Sequence, residues 1–144
     1  MAAQPGDAKK LEQFVHDQQR RKHIVMVDSS RIFMEIIKEL LEDERYGVTA
    51  SDYAPEIFTQ ILLLSPDLII VDLVITERAG WELLEKLELE SLTRNIPVIA
   101  TSTNHLLLER ALANKERYGA DHYLVKPFDL AVLLAAIEEL IGAA

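Results

Sequence analysis

Polar side chains follow four apolar segments of this 144-residue sequence. In chain order the segments end in Asp28-Ser29-Ser30, Asp72, Thr101-Ser102-Thr103 and Lys126-Pro127. Two carboxylates, a hydroxyl and an ammonium suit a divalent cation and a phosphoryl group, because Mg²⁺ takes carboxylate and carbonyl oxygens and shares its other positions with water and phosphate. A hydroxyl and a lysine satisfy the other phosphoryl oxygens. One carboxylate would also serve as a nucleophile that forms an acyl phosphate.

Each of these residues also has a structural explanation when it is taken alone. Asp28 and the two serines after it are suitable N-caps for a helix that starts near Arg31. Asp72 fits a turn, Ser102 fits a second helix cap, and the Lys-Pro pair fits the ordinary end of a strand. The combination therefore matters more than any single residue.

The elements that position these residues alternate along the chain after residue 22. Four continuous apolar runs are typical of strands buried on both faces: HIVMV, LIIVDL, PVIATS and HYLV. YGVTAS is a weaker fifth strand. Between the strands, apolar residues recur at spacings of three and four, which predicts helices, among them 55–64 and 105–118.

This alternation predicts an α/β fold of five βα units. Consecutive βαβ units require right-handed crossovers, and therefore a doubly wound, parallel five-stranded sheet with helices on both faces. In such a sheet, sites form outside the carboxyl ends of the strands. The four polar segments should consequently meet at one edge.

Composition excludes several classes of protein. The chain is 49% hydrophobic and 27% charged, which fits one globular domain, and it has no cysteine for disulfides, thiol nucleophiles or thiolate zinc sites. Its longest apolar run, Leu130 to Ile137, is far shorter than the roughly 20 residues that span a membrane. The N-terminus lacks the apolar stretch of a signal peptide. We therefore expect a cytoplasmic protein that does not contact the membrane.

Charge divides the chain into two parts. Residues 1–22 hold five basic and three acidic groups, whereas residues 23–144 hold 10 basic and 21 acidic groups, a net charge of −11. Because nucleic-acid affinity rests on Lys and Arg at the phosphates, we expect no direct nucleic-acid binding. Residues 1–22 are predicted to be an extension, either loosely held or with a short amphipathic helix around 8–20 that carries Leu11, Phe14 and Val15.

Residues 23–144 resemble the receiver domain of bacterial response regulators from two-component phosphorelays. The segments that carry the resemblance are IVMVDSS, PDLIIVDLVITERAGWELL, IPVIATST and GADHYLVKPF. Their spacings also fit: 44 residues separate Asp28 from Asp72, 30 separate Asp72 from Ser102, and 24 separate Ser102 from Lys126.

The resemblance implies a phosphoryl acceptor and a metal site. In that family the aspartate that ends the third strand accepts a phosphoryl group from a histidine kinase or a phosphotransfer protein, which implies Asp72. Acidic residues at the end of the first strand hold Mg²⁺ together with the acceptor, which implies Asp28. The backbone carbonyl two residues past the acceptor also binds the metal, which implies Val74.

The resemblance implies a signalling switch as well. Ser102 would form a hydrogen bond with the phosphoryl group, and the Lys126 ammonium would form an ion pair with it. In this family the peptide bond between that lysine and the following proline is usually cis. Tyr123 would then turn inward as Ser102 moves. The face formed by the fourth helix, the fifth strand and the fifth helix would change its affinity for a partner.

The chain departs from the family pattern at Ser29, where a second acid usually stands. One charge pair 4 Å apart is worth roughly 4 kcal/mol at an effective dielectric near 20. We therefore expect weak Mg²⁺ binding, with Ser29 offering a neutral oxygen as a weak ligand. Thr76, Ala79 and Thr103 are smaller departures, with expected effects on rates rather than on the fold.

Three hypotheses follow. The first is a non-enzymatic phosphoacceptor receiver that signals to a downstream protein, or to an output domain absent from this sequence; a homodimer is left open. The second is a pseudo-receiver, an interaction module that works without phosphorylation because of Ser29. The third is an unrelated small-molecule-binding protein of flavodoxin-like fold, which has no support in the glycine pattern.

Overall fold

The computed structural model describes residues 6–12, 21–74 and 77–144. The strands are β1 (His23–Val27), β2 (Gly47–Ser51), β3 (Leu68–Asp72), β4 (Val98–Ser102) and β5 (His122–Val125). The main helices are α1 (Arg31–Asp43), α2 (Ile57–Leu64), α3 (Ala79–Leu89), α4 (His105–Ala113) and α5 (Leu130–Ile141). A separate helical turn, Lys115–Tyr118, precedes β5.

The five strands form one parallel sheet in the order β2-β1-β3-β4-β5. This confirms the predicted fold class. The register pairs Asp72 with Thr101 and Ser102 with Val125 at the carboxyl edge of the sheet. The polar residues that end the strands are therefore neighbours in space, as the alternation of elements predicted.

The core has two layers, one on each face of the sheet. Successive strand residues point to opposite faces, so Val25 and Val27 pack with α2, α3 and α4, whereas Ile24 and Met26 pack with α1 and α5. The central strand β3 is buried at all five positions. Burial on both faces explains why these strands are continuous apolar runs rather than alternating ones.

One of the two predicted helix caps is confirmed and the other is wrong. Ser30 caps α1, because its Oγ accepts a hydrogen bond from the Phe33 amide at 3.3 Å. Asn104 caps α4 by accepting one from the Leu106 amide at 2.9 Å. The cap of α4 is therefore Asn104 and not Ser102, which leaves the Ser102 hydroxyl free for other contacts.

Several predicted boundaries differ from the structure. The helix predicted over 105–118 is interrupted at Asn114, whose backbone (φ −116°, ψ 39°) is not helical. The helix predicted over 55–64 begins at Ile57, and β3 ends at Asp72 with Leu73 buried beyond it. Residues 6–12 are helical. Phe14 and Val15 of the amphipathic helix predicted around 8–20, and the departure at Thr76, lie outside the described residues.

Among the described residues, no helix is both long and apolar enough to cross a membrane.

Candidate phosphoacceptor site

The carboxyl edge of the sheet gathers buried polar side chains that the core does not otherwise contain. Asp28 and Asp72 are 2% and 6% exposed, and Thr101 and Ser102 are each 1% exposed. Of the buried polar residues described, only Thr93 lies elsewhere. Burial of ionised or polar groups is costly unless they are paired, so the partners of these side chains define the site.

Lys126 joins the two carboxylates. Its Nζ lies 2.5 Å from Asp28 Oδ2 and 2.9 Å from Asp72 Oδ1, and its side chain is 11% exposed. The ammonium also lies 4.0 Å from the centroid of the Phe33 ring, on the first helix. The Lys126–Pro127 peptide bond is cis. Two carboxylates and one ammonium leave the site with a net charge of −1.

Asp72 is held through one oxygen. Its Oδ1 accepts hydrogen bonds from Lys126 and from Thr101 Oγ1 at 3.1 Å. No hydrogen bond among the described residues reaches Oδ2, and Oδ2 is not a buried unpaired atom, so it keeps contact with solvent. Burial raises the pKa of Asp72; the hydrogen bond from Lys126 lowers it, and the charge of Asp28 raises it. The free oxygen is the one able to act as a nucleophile.

Asp28 has no free oxygen. Its Oδ1 accepts a hydrogen bond from the Ser30 amide at 2.8 Å, and its Oδ2 is bonded to Lys126. Ser29 is exposed and faces a depression beside the site. This depression has a volume of about 510 Å³ and is lined by Ser29, Asp52, Tyr53, Ala54, Pro55 and Glu77.

Ser102 and Tyr123 lie apart from the Asp72 carboxylate in this structure. Ser102 Oγ donates to the Leu73 carbonyl at 2.7 Å and accepts from the Asn104 amide at 3.1 Å. The half-buried Tyr123 donates to the Ala120 carbonyl at 3.0 Å. Their predicted contact with a phosphoryl group stays a prediction.

The oxygens at the site have the right chemistry for Mg²⁺, but they are few. Asp72 Oδ2 and the Val74 carbonyl are oxygen donors of the kind that Mg²⁺ takes. Asp28 would have to give up its bond to Lys126 or to Ser30 in order to bind a cation directly. Among the described residues, no group of three or more His, Asp or Glu side chains could hold a metal ion. Asp72 Oδ2 and the Val74 carbonyl would hold a Mg²⁺ ion that takes water at its other positions.

A family model for the response regulator receiver domain matches residues 24–138. The chain belongs to this family. The rice two-component response regulator ORR11 (Oryza sativa subsp. japonica) is 32% identical over 107 residues, which cover 73% of this chain and 71% of ORR11. The transcriptional regulatory protein CpxR of Escherichia coli (strain K12) is 32% identical over 118 residues, which cover 82% of this chain and 48% of CpxR.

Solved structures agree on the fold. The crystal structure of a response regulator from Chloroflexus aurantiacus J-10-fl superposes with a TM-score of 0.75. The two sequences are 23% identical, and the match covers 85% of this chain and 98% of the Chloroflexus chain. At this identity the similarity shows the fold alone.

Sequence reasoning missed three residues of this receiver domain. Thr101 supplies the hydroxyl that contacts Asp72, although only the neighbouring Ser102 was assigned a role. Phe33 lies against the Lys126 ammonium. Tyr53, in the loop after β2, donates to the backbone carbonyl of Asp72. Strand alternation places Thr101 and Ser102 on opposite faces of the sheet but does not say which of them faces Asp72, and nothing in the sequence indicates Phe33 or Tyr53.

Tyr53 covers the ends of two strands. Its hydroxyl also lies 3.4 Å from the Val27 carbonyl, so one side chain contacts β1 and β3 where both strands end. Burial raises the pKa of Tyr53, and the charges of Asp72 and Asp28 raise it further, so the hydroxyl remains a donor. A Cβ at Gly80 would lie 2.6 Å from the Asp72 carbonyl and 3.1 Å from the Tyr53 hydroxyl. Glycine is required there by this close approach.

Proposed function

We propose that this receiver domain accepts a phosphoryl group on Asp72 from a histidine kinase or a phosphotransfer protein. The observation that carries the proposal is the asymmetry of the Asp72 carboxylate, which is fixed through Oδ1 and open at Oδ2. Oδ2 would attack phosphorus to form an O–P bond, while the bond from phosphorus to the donor breaks and its electron pair leaves with the donor. The product is an acyl phosphate on the protein.

The side chains of the site would prepare this step. Lys126 and Thr101 hold the carboxylate in one orientation, which lowers the entropic cost of reaching the reactive geometry. The Lys126 ammonium is also placed to pair with a phosphoryl oxygen next to Asp72. Mg²⁺, when bound, would neutralise charge on the phosphoryl oxygens. Because Asp72 itself is modified, the domain is proposed to be a signalling acceptor and not an enzyme.

Intact mass measurement after incubation with acetyl phosphate and Mg²⁺ tests the proposal. We expect one phosphoryl adduct on the wild-type protein and none on Asp72→Asn. Asp121→Asn is the matched control, because it changes an exposed aspartate before a strand at the opposite edge of the sheet and should keep the adduct. An unmodified wild-type protein, or an adduct that persists in Asp72→Asn, would contradict the proposal.

The signal is proposed to leave through α4, β5 and α5. These three elements expose four large apolar side chains, Leu106, Leu112, Val125 and Val132, at 60%, 55%, 45% and 47%. Its partner would be a downstream protein or an output domain, as in the two-component regulators that the chain resembles, and not nucleic acid, because the net charge of residues 23–144 is −11.

A pseudo-receiver is the second candidate, and two observations favour it. Ser29 provides no charge beside Asp28, and Lys126 already neutralises Asp28 at 2.5 Å. Under this alternative, Mg²⁺ should not perturb the NMR shifts of the carboxyl-edge amides, and Asp72→Ala should leave partner affinity unchanged. A magnesium-dependent shift change together with a phosphoryl adduct would contradict it.

A further inference from the structure

A cleft between α3, α4 and the helical turn before β5 differs from the rest of the surface in its chemistry. Its volume is about 190 Å³, and its lining residues are Glu77, Arg78, Trp81, Leu107, Arg110 and Tyr118. Glu77 also lines the depression beside the candidate phosphoacceptor site, whereas the other five residues do not. The cleft combines apolar and aromatic side chains with a few charged groups, which is a lining typical of ligand sites.

The cleft offers more hydrogen-bond donors than acceptors. Arg110 makes no side-chain hydrogen bond or ion pair with the described part of the chain. Arg78 has only an exposed contact, 4.0 Å from Glu82. Within the same described ranges, the Trp81 indole N–H and the Tyr118 hydroxyl have no hydrogen-bond partner either. Glu77 is the opposing carboxylate, so the lining would be satisfied by a ligand that brings acceptors.

Two aromatic rings, Trp81 and Tyr118, pack edge to face and form one corner of the cleft. The Trp81 and Tyr118 rings lie 4.8 Å apart between centroids at an interplanar angle of 66°. Arg117 lies 5.4 Å from the Tyr118 ring and is paired with Glu85 at 3.3 Å, which fixes the outer side of the corner. Trp81 is only half-buried, so its ring remains available to a ligand.

The lining of the cleft is richer in basic groups than the domain as a whole. Residues 23–144 carry only 10 basic groups against 21 acidic ones. Two of those basic groups, Arg78 and Arg110, line this one small cleft. In a strongly acidic protein, a concave surface with two guanidinium groups selects anions, because the remaining surface repels them.

We propose that the cleft binds a small aromatic anion: a carboxylate, sulfonate or phosphate ester that carries a single ring. The anionic group would lie between Arg78 and Arg110, since guanidinium groups bind such oxygens with two hydrogen bonds. The ring would lie against the corner formed by Trp81 and Tyr118. The cleft is smaller than the roughly 300–1,000 Å³ of drug-sized sites, which limits the ligand to one ring and one anionic group.

Titration with phenyl phosphate tests the proposal. Trp81 is the only tryptophan of the chain, so its fluorescence reports the cleft directly. We expect a saturable change with a dissociation constant of about 1 mM, as for a ligand of this size. Inorganic phosphate provides only the anionic group and phenol only the ring, and each should bind at least about tenfold more weakly than phenyl phosphate.

Matched variants localise the binding. Arg110→Gln should weaken phenyl phosphate binding at least about tenfold, the effect of losing one charged hydrogen-bonded pair. Arg31→Gln removes the same charge from an exposed site on α1 and should leave the affinity unchanged. Asp72→Asn should also leave it unchanged, which separates this site from the phosphoacceptor. Absence of a saturable change, equal affinity in Arg110→Gln, or equal binding of inorganic phosphate would overturn the proposal.

Discussion

Aspartates lie at both ends of the parallel strands: two at the amino edge, where the strands begin, and two at the carboxyl edge, where they end. They are exposed at the first edge and buried at the second. At the amino edge, Asp67 and Asp121 are exposed, and each accepts a hydrogen bond from the first amide of a neighbouring strand: His23 N at 2.7 Å and Val98 N at 2.9 Å. At the carboxyl edge, Asp28 and Asp72 are buried and depend on Lys126.

The difference shows where the fold accepts an energetic cost. An exposed carboxylate that accepts a backbone amide keeps its other lone pairs in water, so it stabilises the strand at little desolvation cost. At the carboxyl edge, burial raises the pKa of Asp72, and the charge of Asp28 raises it further, so folding disfavours the ionised form of Asp72. The amino edge is therefore structural, whereas the carboxyl edge holds the unfavourable charge on which the proposed phosphoryl transfer would depend.

Removing the shared cation should have the largest effect. Lys126→Ala leaves two buried carboxylates without a cation to pair with, and we expect the free energy of unfolding to fall by about 3–5 kcal/mol. Urea denaturation at pH 7.5 measures this change. Mg²⁺ should restore part of the lost stability in the variant and much less in the wild type. A loss below about 1 kcal/mol would contradict the paired-carboxylate interpretation of this edge.

Adding the absent acid should have the next largest effect. Ser29→Asp places a carboxylate beside Asp28, and we expect the affinity for Mg²⁺ to rise about 10- to 100-fold, less than the full coulombic value because of desolvation. The rate of phosphorylation by acetyl phosphate should rise with it. Ser91→Asp adds the same charge at an exposed position beyond α3 and serves as the control. Equal Mg²⁺ affinities in the two variants would show that the metal does not bind at this edge.

Neutralising Asp72 should stabilise the protein in a pH-dependent way. Burial raises the pKa of Asp72 in the folded state, so folding disfavours its ionised form, and this cost is present at neutral pH and is relieved as pH falls through the raised pKa. Asp72→Asn should therefore be more stable than the wild type at pH 8, and the gap should close on acidification. Denaturation curves at several pH values measure the gap, and a gap that is independent of pH would contradict this explanation.

The smallest effect is expected at the amino edge. Asp121→Ala removes one hydrogen bond to the Val98 amide, and we expect a loss of about 1 kcal/mol in the free energy of unfolding. The rate of phosphorylation should not change. A reduced rate in a folded Asp121→Ala protein would show that the two edges are coupled, contrary to the comparison.

Much of the fold followed from the sequence because its signals are local. The runs HIVMV and HYLV coincide with β1 and β5 as the structure has them. The break in the helix predicted over 105–118 was not foreseen, because Asn114 interrupts a helical pattern that the apolar spacing continues across. Trp81 is half-buried: it packs against the core and also lines a cleft at the surface.

The site was predictable in its members but not in its contacts. Asp28, Asp72 and Lys126 meet because parallel strands end at one edge, which the order of elements dictates. Whether Thr101 or Ser102 reaches Asp72 depends on which way each side chain points from β4, and register alone decides that. Tyr53 lies in a loop, where neither periodicity nor spacing constrains direction.

The sequence by itself determined the alternation of strands and helices, the parallel sheet, and the set of polar residues at its carboxyl edge. Periodicity and strand ends are properties of neighbouring residues, so they are visible in one dimension. The tertiary structure decided that Lys126 bonds Asp28 across 98 positions of the chain and that one oxygen of Asp72 remains open. Such contacts require atoms to be placed to within a few tenths of an ångström, and only the packed core fixes positions that closely.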